Sequence, residues 1–405
     1  MTDTAAPTPG APTPAAPPPL GVAVIGFGWM GRVHTHAYTR LPHHFDDTGR
    51  TPRLVAVADE VPGRAAEAAA RYGFARSTTD WRDVLADDDV EAVSVTAPNF
   101  LHREIGVAVA ESGKHLWIEK PVGVTTADAV AVRDAVRAAG VSAAVGFNYR
   151  NAPAVQVARA LIASGSLGTP THASFRLLSD YAADPAGALS WRYAYDTAGH
   201  GVLGDLAVHG LDLAWYLLGD IAEVVADTAV FIGERAIPSG ATSGHQRVEG
   251  GAMGAVENED YLAGILRFAS GARGTVEVSR VAVGEQNDYG FAVHGTRGSV
   301  AWDFRRLGEL RVSRGDGYQD LPLARAFAKP GDGDYAAFQP GAAISMGYDD
   351  LKVIEAAEFV RSIATGTARG AGLDDAVRAA TVAEALSDSA ASGRWQQVGS
   401  PEAAR

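Results

Sequence analysis

The chain has 405 residues, 47% of them apolar and 20% charged, with a formal net charge of −13 and no cysteine. That length exceeds one small core and predicts two domains, while the acidic balance argues against a nucleic-acid partner, whose phosphates need a basic face. The lack of cysteine excludes disulfides, thiolate catalysis and cysteine-ligated metals, and no stretch reaches the roughly 18 uninterrupted apolar residues of a membrane helix.

Residues 2–19 are Ala, Pro and Thr with one Gly and one Asp. They lack a basic n-region, an arginine pair and an apolar h-region, so 1–19 reads as a disordered tail, not a secretory signal, and cytoplasmic residence is the default. Next comes Val22-Ala23-Val24-Ile25-Gly26-Phe27-Gly28-Trp29-Met30-Gly31, an apolar run breaking into G-x-G-x-x-G. A strand that turns through glycines into a helix aims backbone N–H groups and the helix dipole at an anion. Gly26 permits the turn, Gly28 admits a pyrophosphate, and Gly31 lets helix and strand pack closely. Phe27, Trp29 and Met30 share that loop and count as cofactor contacts.

A second apolar run, 54–58, ends in Asp59. A carboxylate there accepts from a ribose 2′-hydroxyl and repels a 2′-phosphate, which favours NAD over NADP. Glu60, where a basic residue would help to bind NADP, strengthens that preference. The long gap between Gly31 and Asp59 is read as a loop insertion over 41–52. Apolar runs at 22–25, 54–58, 92–96, 115–118 and 143–147 alternate with helix-like segments including 63–72, 101–112 and 125–139. This alternation predicts a parallel, doubly wound sheet with ligands beyond the carboxyl ends of its strands. Those ends carry Thr96-Ala97-Pro98-Asn99, Glu119-Lys120-Pro121 and Gly146-Phe147-Asn148. Lys120 there is placed to bond a substrate hydroxyl; the plainer alternative is a surface Glu–Lys pair of little energetic weight.

After a helix near 154–164, the runs 171–178, 224–231, 260–268, 273–281, 290–294 and 299–304 are separated by Gly-rich turns, as in an antiparallel sheet. Residues 237–255 read as a long Gly/Ser-rich loop, and 348–363 and 374–387 as helices. The Gly-rich stretch 197–205 leads into a predicted helix over 206–218. Its polar residues Asp205, His209, Asp212 and Tyr216 share one face, and nearly all others are apolar. A buried polar stripe needs partners or a cavity. It fits a capping Asp205 with a buried His209–Asp212 pair, or a ligand site. No further His or carboxylate cluster accompanies it, so no metal is assigned.

These residues resemble the glucose–fructose oxidoreductase / inositol dehydrogenase (Gfo/Idh/MocA) family over nearly the whole chain after residue 20. The resemblance rests on the glycine turn, Thr96-Ala97-Pro98-Asn99 with His102, Glu119-Lys120-Pro121, Gly146-Phe147-Asn148-Tyr149-Arg150 and Asp205-Leu206-Ala207-Val208-His209. Segments 179–185, 189–193, 291–302 and 346–348 look like the levoglucosan dehydrogenase-like branch. The family implies an α/β Rossmann NAD-binding domain over 20–148. It also implies an α+β substrate domain over 149–405, whose large open, mostly antiparallel sheet often serves as the interface of a homo-dimer or tetramer. A cis Lys120–Pro121 peptide is expected, as is a catalytic set of Lys120, Asp205 and His209.

The expected substrate is a sugar, anhydrosugar or inositol, oxidised at a secondary hydroxyl. His209 would act as base, and Asp205 would hold the substrate or orient His209. Lys120, kept cationic by Glu119, would bond the reacting oxygen. Thr96, Pro98, Asn99, His102, Glu119 and Lys120 are expected at the cofactor, and Asn148, Arg150, Trp191 and Arg192 at the substrate. Relatives also include glycosidases that use NAD without net turnover and non-enzymatic dinucleotide sensors; retention of Lys120, Asp205 and His209 argues against the sensor. Reduction of a keto-sugar is the reverse alternative.

Overall fold

The computed structural model describes residues 18–240, 246–248 and 250–399. The expected N-terminal tail therefore lies almost wholly outside the described residues. Strand β1 (Pro19–Ile25) is buried from its second residue onward, as a continuous apolar run in the middle of a two-sided sheet must be. With β2 (Thr51–Ala58), β3 (Arg76–Thr78), β4 (Ala92–Val95), β5 (His115–Ile118) and β6 (Ala143–Val145) it forms a six-stranded parallel sheet in the order β3-β2-β1-β4-β5-β6. The order reverses between β1 and β4, and that switch point opens a crevice beyond their carboxyl ends.

Helices α1 (Trp29–His44), α2 (Arg64–Tyr72), α3 (Trp81–Leu85), α4 (Asn99–Glu111) and α5 (Thr126–Ala139) connect these strands. α5 opens on a capping box between Thr125 and Asp128 and closes at Gly140, whose φ is +66°. The expected insertion over 41–52 is mostly regular structure: α1 runs to His44 and β2 starts at Thr51. Fully buried Tyr38 and Leu41 anchor the last turns of α1, and Pro42 there does not end the helix.

The second sheet has nine strands in the order β16-β15-β14-β13-β7-β12-β11-β8-β17. They are β7 (Pro170–Leu178), β8 (Ile221–Ala229), β11 (Tyr261–Phe268), β12 (Arg273–Ser279), β13 (Asp288–Gly295), β14 (Gly298–Asp303), β15 (Glu309–Arg314), β16 (Ala324–Phe327) and β17 (Gln396–Gln397). Only β7 and β12 run parallel; every other pairing is antiparallel. A separate hairpin of β9 (Glu234–Ala236) and β10 (Met253–Ala255) pins the ends of the segment read as a loop. Of that segment, 241–245 and 249 lie outside the described residues.

Helices α6 (Pro153–Ala163), α7 (Tyr195–Ala198) and α8 (Val208–Leu218) follow in this half. Gly210 of α8 sits so close to the sheet that a β-carbon would meet Leu177 at 2.7 Å. The chain then returns to the first sheet. α9 (Tyr348–Thr365) lies on α1, with ion pairs from Asp350 to Arg40 and from Arg361 to Asp47. Ala371 accepts the Val145 N–H at the edge of β6, just before α10 (Leu373–Ser392), which packs on α5, α8 and β8. Among the described residues no helix is long and apolar enough to cross a membrane.

Candidate active site

The glycine turn is shaped for an anion. Gly26 has φ +87°, and a β-carbon on it would press on the Ala97 backbone at 2.7 Å. Nothing approaches the corresponding position of Gly28 within 4 Å, so backbone is bare where a ligand would come. Gly31 packs its α-carbon against the Gly26 carbonyl. α1 then begins with no side-chain cap and no acidic residue in its first turn. Its first N–H groups and the positive end of its dipole are therefore left for a phosphate. Asp59, at the end of β2, accepts the Phe27 N–H at 2.6 Å and pairs with Arg64. Phe27 points its ring away, into Tyr72 and Phe74.

A cavity of about 520 Å³ runs from this turn to the second domain. Gly26, Gly28, Trp29, Met30 and Asp59 line one end, Thr96, Pro98, Asn99, His102 and Glu119 the middle, and Lys120, Asp205, His209, Trp191 and Arg192 the other end. The shape and donors fit a dinucleotide: an uncapped helix start for pyrophosphate, a carboxylate for ribose, and a polar far end for the reacting ring. The two ring nitrogens of His102 each lie 2.7 Å from a carbonyl oxygen, of Ala97 and of Pro121. His102 thus ties together the two strand-end turns that wall the middle of the cavity. Thr96 donates to the Gly26 carbonyl, and the Lys120–Pro121 peptide is cis.

At the far end, Lys120 Nζ donates to the Asp205 carboxylate at 3.1 Å and to the Asp205 carbonyl at 2.7 Å. Tyr181 donates to the other carboxylate oxygen at 2.6 Å. Burial pushes the Asp205 carboxyl up, but the charges of Lys120 and Arg192 and the Tyr181 hydrogen bond hold it well below the usual carboxylate range. Burial, helped by the Lys120 charge, drives the His209 imidazole well below its ordinary value. His209 is therefore a neutral imidazole beside a cation. The counter-charge of Lys120 is Asp205; the Glu119 carboxylate faces His34 and Lys352 instead. The expectation that Glu119 keeps Lys120 cationic is corrected accordingly.

Asp205 sits in a π-helical turn, Leu203–Ala207, that leads into α8. Such turns re-aim side chains and recur at functional sites. Asp205 and His209, one turn apart, both reach the cavity; Asp212 and Tyr216 do not. The face is shared, but at 1.5 Å per residue the later positions lie farther along the axis, past the cavity floor. Asp212 forms a buried two-bond pair with Arg150, which also reaches Asp375 at 3.0 Å. Burial raises the Asp212 carboxyl to about 6 against the pull of Arg150.

Two expected substrate contacts are placed elsewhere. Arg150 is spent on this ion cluster, and Asn148 is fully buried outside the cavity wall. The short helical turn Asn148–Asn151 presents Tyr149 to the cavity and its neighbours to the interior. We expect Arg150→Met to strand the buried Asp212 carboxylate and destabilise the protein by about 3–5 kcal/mol, read as a fall in denaturant midpoint. Tyr149, Tyr181, Tyr289 and Tyr348 line the cavity without having been singled out as site residues. Tyr149, Tyr181 and Tyr348 fall within segments that carry the family resemblance, and Tyr289 lies just before another.

An uncapped glycine turn facing a Lys–Asp pair and a neutral histidine defines a dinucleotide-dependent oxidoreductase. Residues 20–147 match the oxidoreductase family with an NAD-binding Rossmann fold, and residues 155–301 match the GFO/IDH/MocA C-terminal domain. The chain belongs to the GFO/IDH/MocA family. It is 37% identical to levoglucosan dehydrogenase of Pseudarthrobacter phenanthrenivorans, across 94% of this chain and 98% of that one. It is 29% identical to inositol 2-dehydrogenase of Rhizobium meliloti, across 84% and 96%. A solved levoglucosan dehydrogenase in complex with NADH and levoglucosan superposes with a TM-score of 0.87 at 36% identity, covering 94% of this chain and 99% of that one.

Proposed function

We propose that the protein is an NAD-dependent dehydrogenase that oxidises a secondary hydroxyl of a sugar, anhydrosugar or inositol. One observation carries the reading: the bonded Lys120–Asp205 pair and His209 line the far end of a cavity whose near end is an uncapped glycine turn. The likeness to levoglucosan and inositol dehydrogenases supports the substrate class. Gly26, Gly28, the start of α1 and Asp59 would hold the cofactor, and its nicotinamide would supply the hydride acceptor when bound. The chain does the rest. Neutral His209 takes the hydroxyl proton, and the Lys120 ammonium bonds the same oxygen as its negative charge grows. Asp205 holds that ammonium in place, and Tyr181 fixes Asp205 from its other oxygen. Trp191, with Arg192 over its ring at 4.4 Å, offers an apolar face and a fork of donors to a ring sugar. The uncovered face of the nine-stranded sheet, where Ile265 is 46% exposed, supports self-association.

The test is absorbance at 340 nm with NAD⁺, then NADP⁺, against a panel of inositols, aldoses and anhydrosugars. Reduced cofactor should form in step with at least one polyol, and NAD⁺ should be preferred. No reduction with any of them would reject the dehydrogenase, and a preference for NADP⁺ would reject the reading of Asp59.

A further inference from the structure

We propose that Lys352, on α9, is a positioning residue for Lys120, acting through Glu119. The inference rests on the dehydrogenase reading above. Lys352 is fully buried, and its Nζ donates to Glu119 at 2.5 Å and to Glu355 at 2.9 Å. His34, from α1, places Nε2 3.0 Å from the same Glu119 oxygen, and Trp117 donates to Glu355 at 2.7 Å. The His34 ring stacks on Trp117 with centroids 3.6 Å apart. Donor atoms of His34, Glu119 and Glu355 all lie within 4.8 Å of one another, a spacing suited to a divalent ion, and the Lys352 ammonium stands as the cation among them.

The other oxygen of Glu119 accepts the backbone N–H of Lys120 at 3.3 Å. Gly146 makes room for this: a β-carbon there would lie 2.5 Å from both carboxylate oxygens. One buried carboxylate is thus gripped on one side by Lys352 and holds on the other the peptide that carries the catalytic ammonium. Burial opposes ionisation of Glu119, but the Lys352 charge and the His34 hydrogen bond outweigh it and hold its carboxyl below the usual range. Burial pushes the Glu355 carboxyl up against the pull of Lys352, and Glu119, the shorter of the two contacts, is the main partner of the ammonium. Without Lys352, Glu119 loses its cation and keeps only the His34 hydrogen bond on that side, so the acceptor of the Lys120 peptide is held less firmly. A displacement of about 1 Å at a reacting group costs on the order of 10²-fold in rate.

K352M removes the cation; K352Q keeps an N–H donor for Glu119 and is made beside it in case K352M does not fold. Each full-length variant is assayed for kcat and KM with the best polyol, NADH affinity by fluorescence, and the thermal transition. We expect kcat to fall by roughly 10–100-fold in K352M and by less in K352Q, with KM and NADH affinity as in wild type. If only K352Q folds, a selective fall in its kcat supports the role. Wild-type kcat in either folded variant overturns it, as does a loss of kcat, KM and cofactor affinity in step. A wild-type protein that oxidises no polyol defeats the functional reading itself, whereas an active wild type matched by its variants defeats only the role of Lys352.

Discussion

Lys120→Met should lower kcat for polyol oxidation by ~10²–10³ and leave NADH affinity unchanged. The split follows from placement. Lys120 is at the far end of the cavity, bonded to Asp205, while the anion-binding backbone is the turn at Gly26 and Gly28. A methionine fills nearly the same space, so packing is preserved, but no donor remains for an oxygen that gains charge as its proton leaves. That interaction strengthens in the transition state, so its loss appears in kcat more than in KM. Single-turnover kinetics with NAD⁺ already bound isolate the step. A variant that loses NADH affinity in proportion to rate would place Lys120 in cofactor binding instead.

The second large effect concerns His209. His209→Ala should reduce kcat by about 10²–10⁴, the range for loss of a general base. The wild-type pH profile carries a more specific signature. A base must be neutral to act, so activity is present above its pKa and lost as pH falls through it. Burial and the Lys120 charge both lower that pKa, so the acid limb of kcat/KM for oxidation should lie below the ordinary imidazole value of about 6.5. Removing Lys120 takes away the second of those causes, and the limb should move upward in Lys120→Met. A limb at or above the ordinary value in wild type would assign the proton to another group.

The parts of this site that could be read from sequence are those whose chemistry is local. The turn at Gly26, Gly28 and Gly31, the carboxylate of Asp59, and Lys120 each sit where a parallel strand ends, and strand ends are legible from apolar runs. Asp205 and His209 were legible through helical spacing. What spacing does not carry is how far along a helix a cavity extends, which separates His209 from Asp212. Nor does proximity in sequence fix orientation: Tyr149 and Arg150 are neighbours, yet one faces the cavity and the other faces Asp375, 225 residues away. The four tyrosines come from four separate segments, and nothing in spacing brings them to one cavity. The partner of Glu119 was hidden for the same reason, since Lys352 lies 233 residues beyond it.

The return of α9 to the first sheet has a consequence for how the protein is made. A ribosome delivers all six strands of the nucleotide-binding unit within the first 145 residues, yet the helix that covers α1 ends at Thr365. Domains ordinarily condense in the order they emerge. Here the early half lacks the helix that covers α1 and the Lys352 partner of Glu119 until residues 348–365 have been synthesised and have folded back over it.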